Sequence, residues 1–71
     1  MSLVTKNVSR YITDKGINVK ELSRSTGIPY NNLYTSLKAS YRERDLRDDE
    51  LLAICQHLEV DPMRFAEGPK M

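Results

Sequence analysis

The 71 residues include one cysteine (Cys55), one histidine (His57), one phenylalanine and no tryptophan. A lone thiol cannot close an intramolecular disulfide, and with a single imidazole it cannot build a Cys/His metal cluster. No metal or cofactor is therefore expected, and stability has to come from packing. No apolar run approaches the roughly 20 residues of a membrane span, and Met1-Ser2-Leu3-Val4-Thr5-Lys6 lacks the apolar stretch of a signal peptide. These absences lead to the expectation of a cytoplasmic protein. Glycine and proline number three each, with no repeat, low-complexity stretch or linker, so residues 1–71 are expected to form a single domain. Serine, histidine and aspartate all occur, but at no spacing that suggests a catalytic triad. A domain this small also has little room for a substrate pocket, and no enzymatic activity or small-molecule substrate is expected.

What is present is an ordinary globular composition, 39% hydrophobic and 30% charged. At this length only about 60% of the unfolded chain's surface can be buried, which demands a compact core. The net charge of +1 conceals a polarity along the chain. Residues 1–44 carry eight basic and three acidic side chains, a balance of +5, while residues 45–71 carry three basic and seven acidic ones, a balance of −4. An uneven distribution of this kind suggests that the first part of the molecule faces an anion.

The apolar spacing reads as short helices separated by turn signals. Val4, Val8, Tyr11 and Ile12 predict an amphipathic helix over about 3–15, ended by Gly16. Asn18 is a cap, Glu21 stands three residues on as in a capping box, and Ile17 with Leu22 forms a staple. The helix they start runs over about 19–26 and stops at Gly27. Pro29 suits the first turn of a third helix over about 29–38 that turns Leu33 and Leu37 inward. Residues 38–46 show no period and read as a basic loop. A fourth helix over 48–58 opens on Asp48, Asp49 and Glu50, which favour its positive end, and places Cys55 on an apolar stripe with His57 at the surface. Asp61 and Pro62 start a fifth helix over about 62–66, with Val60 and Phe65 as its staple.

The second and third helices, with a tight glycine turn between them, have the size of a helix-turn-helix. A helix fits the major groove only when another element holds it proud of the surface, and the preceding helix is that brace. With Leu33 and Leu37 against the brace, Asn31, Tyr34, Thr35 and Lys38 lie around the opposite face. Asparagine can bond adenine in bidentate fashion, threonine and tyrosine can meet a thymine methyl or a phosphate, and lysine can donate to guanine or phosphate. Tyr30 lies close enough to the Leu33 side to be partly core. Asn18 is a cap first and a phosphate contact second.

The order of elements resembles the Cro and phage-repressor type of regulator, an all-α, five-helix, lambda-repressor-like fold. The resemblance spans roughly Val8 to Ala66. It rests on Ile17-Asn18-Val19-Lys20-Glu21-Leu22-Ser23, on Thr26-Gly27-Ile28-Pro29, on Leu33, and on the stretch from Leu51 to Asp61. It implies that Tyr30, Asn31, Asn32, Tyr34, Thr35 and Lys38 read bases. Asn18 and Lys20 at the start of the second helix, and Arg42 and Arg44 in the basic loop, are the expected phosphate contacts from the residues themselves. Four positions depart from the family pattern: Val19 for a DNA-contacting glutamine, Ser23 for alanine, Ser36 for an inward apolar residue, and Glu59 for glycine. Leu37 is expected to take over the inward role of Ser36, which would rotate the helix slightly. The loop before the fourth helix looks about three residues longer than usual and carries Tyr41, Arg42 and Arg44.

The function implied is sequence-specific binding of double-stranded DNA by a transcriptional repressor or Cro-like regulator, working as a homodimer on a two-fold operator. The competing expectation is a protein-interaction adaptor that uses the same helix face, since tyrosine is also enriched at protein interfaces.

Overall fold

A computed structural model describes residues 2–38 and 44–66. Among these residues there are four α-helices and one turn of 3-10 helix, with no strand: α1 (Leu3–Lys15), α2 (Val19–Thr26), α3 (Tyr30–Leu37), α4 (Asp48–Leu58) and the 3-10 turn Pro62–Phe65.

The helix ends follow from the residues that stand there. The Ser2 hydroxyl accepts the Thr5 N–H at 3.2 Å and starts α1. Gly16 ends it in the left-handed region at φ 66°, and the Ile17 N–H reaches back to the Ile12 carbonyl at 3.0 Å. At the start of α2 the Asn18 Oδ1 accepts the Glu21 N–H at 3.2 Å. Gly27, at φ 79°, ends α2 with its N–H on the Ser23 carbonyl at 2.9 Å.

Three expectations are corrected. The third helix is one residue shorter at each end. Pro29 has an extended ψ of 135°, so it caps α3 through its carbonyl, which accepts the Asn32 N–H at 3.0 Å, and Lys38 is the C-cap. The expected fifth α-helix is a single 3-10 turn, closed by three-residue bonds from the Arg64 N–H to the Asp61 carbonyl and from the Ala66 N–H to the Met63 carbonyl. Four residues are too few to support a ladder of four-residue bonds. The third correction concerns Ser36, which stays fully buried beside Leu37.

The core gathers one stripe from each element: Val8 and Ile12 from α1, Leu22 from α2, Leu33 and Leu37 from α3, Ile54 and Cys55 from α4. Phe65 closes one end, buried, with its ring edge-on to Tyr11 at 5.5 Å between centroids. Helix α3 packs against both α1 and α2, and α2 also meets α4. One side of α3 is thereby fixed on a double support, which leaves its other side outward.

Ser36 is tolerated inside because it has a partner. Its Oγ accepts from Arg44 Nη1 at 2.7 Å, and the same guanidinium grips Glu50 with two bonds of 3.0 Å. Glu50, nearly buried at 7% exposure, also accepts the Arg47 N–H at 2.9 Å across the start of α4. No buried side-chain nitrogen or oxygen among the described residues lacks a partner, as a small core requires.

Glu59 ends α4 in the left-handed region, at φ 58°, and is the one non-glycine residue there among the described residues. A side chain in that conformation costs about 1 kcal/mol. Glu59→Gly is therefore expected to raise stability by about 0.5 kcal/mol after glycine's own entropy penalty is subtracted. Thermal melts read this as a rise of a few degrees, and an unchanged or lowered midpoint would show that the strain is relieved elsewhere.

Candidate nucleic-acid interface

The outward face of α3 carries most of the residues that the sequence assigned to it. Tyr30 and Tyr34 are 38% and 44% exposed, one turn apart, with ring centroids 5.9 Å apart and planes tilted by 37°. Asn31 is exposed, and its side chain makes no hydrogen bond within the described residues. Its carboxamide is free to present an acceptor and two donors to a base edge. Asn32 and Thr35 are half-buried. The Thr35 hydroxyl donates to the Asn31 carbonyl at 2.7 Å, so its methyl and lone pairs, rather than its proton, remain for a ligand. Tyr30, which the helical stepping placed near the core boundary, sits on the solvent side of it.

Lys38 stands at the end of this face. Its Nζ donates to Thr13 Oγ1 of α1 at 3.3 Å, a tether across 25 residues of chain that local spacing could not reveal. The bond is to a neutral oxygen, so the positive charge remains unneutralised.

An open groove of 640 Å³ runs between the start of α2 and α3. Asn18, Val19 and Lys20 form one wall, Tyr30, Tyr34 and Lys38 the other, and no acidic residue lines it. The positive end of α2 opens on that wall beside Lys20, and the Asn18 side chain is turned to the Glu21 N–H. Two ammonium groups, a helix N-terminus and two phenol hydroxyls around an acid-free groove form an environment that favours an anion. Apolar ring edges and Val19 offer contact surface beside it.

The expected phosphate contacts from the loop divide. Arg42, like Tyr41, lies outside the described residues. Arg44 points inward: its side chain is only 24% exposed and is bound to Glu50 and Ser36. The loop's length and charge made it read as a solvent-facing clamp, whereas the geometry makes Arg44 a strut between α3 and α4. Glu50 was likewise read only as an acid suited to a helix start. Its second role depends on a partner six residues back across an aperiodic segment.

The described residues contain no cluster of three or more metal-ligating side chains. No helix among them is long and apolar enough to cross a membrane. No curated protein and no solved structure matches the chain. Residues 7–63, from α1 into the 3-10 turn, match the family model of the Cro/C1-type HTH DNA-binding domain, and the chain belongs to that DNA-binding family.

Proposed function

We propose that the chain is a sequence-specific transcriptional regulator of the repressor or Cro-like kind, acting as one module, which inserts α3 into the major groove of double-stranded DNA. The observation that carries this reading is the outward face of α3. It is free of acids and presents an uncommitted Asn31 and the exposed pair Tyr30 and Tyr34, while the inner side of the same helix is held against two others. Asn31 reads a base, Tyr30 and Tyr34 meet thymine methyls or sugar, and Asn32 and Thr35 line the flanks. Lys38, Lys20 and the start of α2 at Asn18 take phosphates. A single module of this type buries only about 600 to 1,000 Å² of protein surface on DNA, which supports a homodimer on two half-sites as the working form.

Selection from a randomised duplex library, followed by titration at several salt concentrations, tests the assignment. Asn31→Ala is expected to relax preference at one base pair, with a loss of about 1 to 3 kcal/mol on the preferred base. Lys38→Ala is expected to weaken binding alike on all sequences and to make the salt slope shallower by about 0.9. An enriched motif unaltered by Asn31→Ala would remove that residue from base reading. Failure of the unmodified protein to retain any duplex at low salt would favour a protein partner on the same face.

A further inference from the structure

A second groove, of 470 Å³, shares Lys38 with the one described above and lies between α1 and the end of α3. Lys6 and Arg10, one helical turn apart on α1, stand along it with Lys38. Its floor is fixed by two bonds: the Ser9 hydroxyl donates to the Leu37 carbonyl at 2.6 Å, and Lys38 Nζ donates to Thr13 Oγ1 at 3.3 Å. Both join α1 to the last turn of α3, so the two cationic positions on α1 are held in register with that helix.

Lys6 and Arg10 have no ion-pair partner among the described residues. Lys6 and Arg10 are exposed, and the ion pair found among the described residues is the one between Arg44 and Glu50. Asp14, one turn beyond Arg10 and at the rim of the same groove, does not come within ion-pair distance of it. Like charges four residues apart destabilise a helix by a few tenths of a kcal/mol. Asp14 offsets part of that repulsion from the rim, and with Lys38 the groove is lined by three cations against one acid.

We infer that Lys6 and Arg10 of α1 bind the phosphodiester backbone of the same duplex whose bases α3 reads, extending the footprint beyond Lys38. The inference rests on the DNA reading proposed above. Lys38 borders both grooves, so a strand that places one phosphate on it continues either toward the start of α2 or toward α1. On the α1 side the groove offers the guanidinium of Arg10, with its forked donors for phosphate oxygens, and the ammonium of Lys6. Neither Lys6 nor Arg10 can reach a base edge through the backbone that it grips, so the contact strengthens binding without reading sequence.

The test is Lys6→Ala/Arg10→Ala titrated against a duplex carrying the selected site, at a series of salt concentrations. The expected result is a salt slope shallower by up to about 1.8, or about 0.9 for each phosphate released, with the selected motif unchanged and the melting midpoint preserved. Arg24→Ala/Arg64→Ala removes the same charge from exposed positions outside the groove and is expected to leave the slope close to that of the parent. An unchanged slope in the α1 variant, or equal changes in both double variants, overturns the inference while leaving the DNA reading intact. Absence of duplex binding by the parent protein overturns the DNA reading and this inference together.

Discussion

Arg44→Ala is expected to destabilise the fold by about 2 to 3 kcal/mol and to weaken its response to acid. Removing one partner of a buried ion pair typically costs about 3 to 5 kcal/mol. The lower figure applies because the Arg44 side chain is 24% exposed and solvent screens part of the pair. The loss is larger than that of a surface bridge because Glu50 stays behind in a nearly buried position, and Ser36 Oγ loses its donor inside the core. Glu50→Gln, which keeps an oxygen for the Arg47 N–H, is expected to cost less than Arg44→Ala.

The pH response identifies the mechanism. In the parent, burial works to raise the Glu50 carboxyl. The hydrogen bonds from Arg44 and the Arg47 N–H, with the charge of both arginines, overcome that and hold it below the ordinary glutamate range. A carboxyl held low in the folded state binds fewer protons folded than unfolded. Its stabilisation is thus complete above about pH 4.5, the ordinary value, and is lost as pH falls through the lowered folded value. Asp45, held low chiefly by the Ser2 N–H at 2.6 Å, titrates in the same direction. Without Arg44, its hydrogen bonds and charge no longer oppose burial at Glu50, so the variant is expected to lose less stability than the parent on acidification below about pH 4.5. Denaturant melts of both proteins between pH 3 and 7 decide the matter, and parallel pH profiles would show that Arg44 and Glu50 do not interact energetically.

Leu33→Ala carries the other large effect, a loss of about 2 to 5 kcal/mol. Leu33 has no exposed surface, and α3 has α1 and α2 on its inner side, so no single element can move to close the void. A chain of this size has about 3 to 10 kcal/mol of total stability, and the variant is expected to melt at least about 10 °C below the parent and to be partly unfolded at temperatures where the parent is intact. Because binding draws the population toward the folded form, DNA in excess should recover much of the helical circular dichroism. A fully folded variant that still failed to bind would instead assign Leu33 to orientation of the reading face.

Much of the scaffold is legible from local chemistry. The ends of α1 and α2 fall where Gly16, Asn18 and Gly27 place them, and α4 starts and stops at the expected residues. Each of these boundaries is decided by a cap or a left-handed residue within one turn, which a reading along the chain can see. The misreadings share a different cause. Ser36 looks like a flaw in the apolar stripe until Arg44, eight residues away in sequence, is placed on it. Arg44 looks like a surface charge until Glu50 is found beneath it. The reciprocal bond expected from Glu21 back to Asn18 is not formed, while Glu50 makes the corresponding bond to Arg47 in α4. Capping patterns in a sequence name the residues able to make such bonds, and tertiary neighbours decide which ones do.

The interface shows the same division. The sequence identified the outward residues of α3 because Leu33 fixed the helix's rotation. The bond from Lys38 to Thr13, and with it the alignment of α1 beside α3, depends on the folded arrangement of three helices.

Cys55 gives the molecule a built-in clock. The only sulfhydryl in the sequence is 2% exposed, and burial, helped by the negative charge of Asp61, raises its pKa and suppresses the reactive thiolate. An alkylating reagent must therefore wait for α4 to lift from its neighbours. The labelling rate at high reagent concentration then counts openings of the native state one molecule at a time, with no engineered reporter and no denaturant.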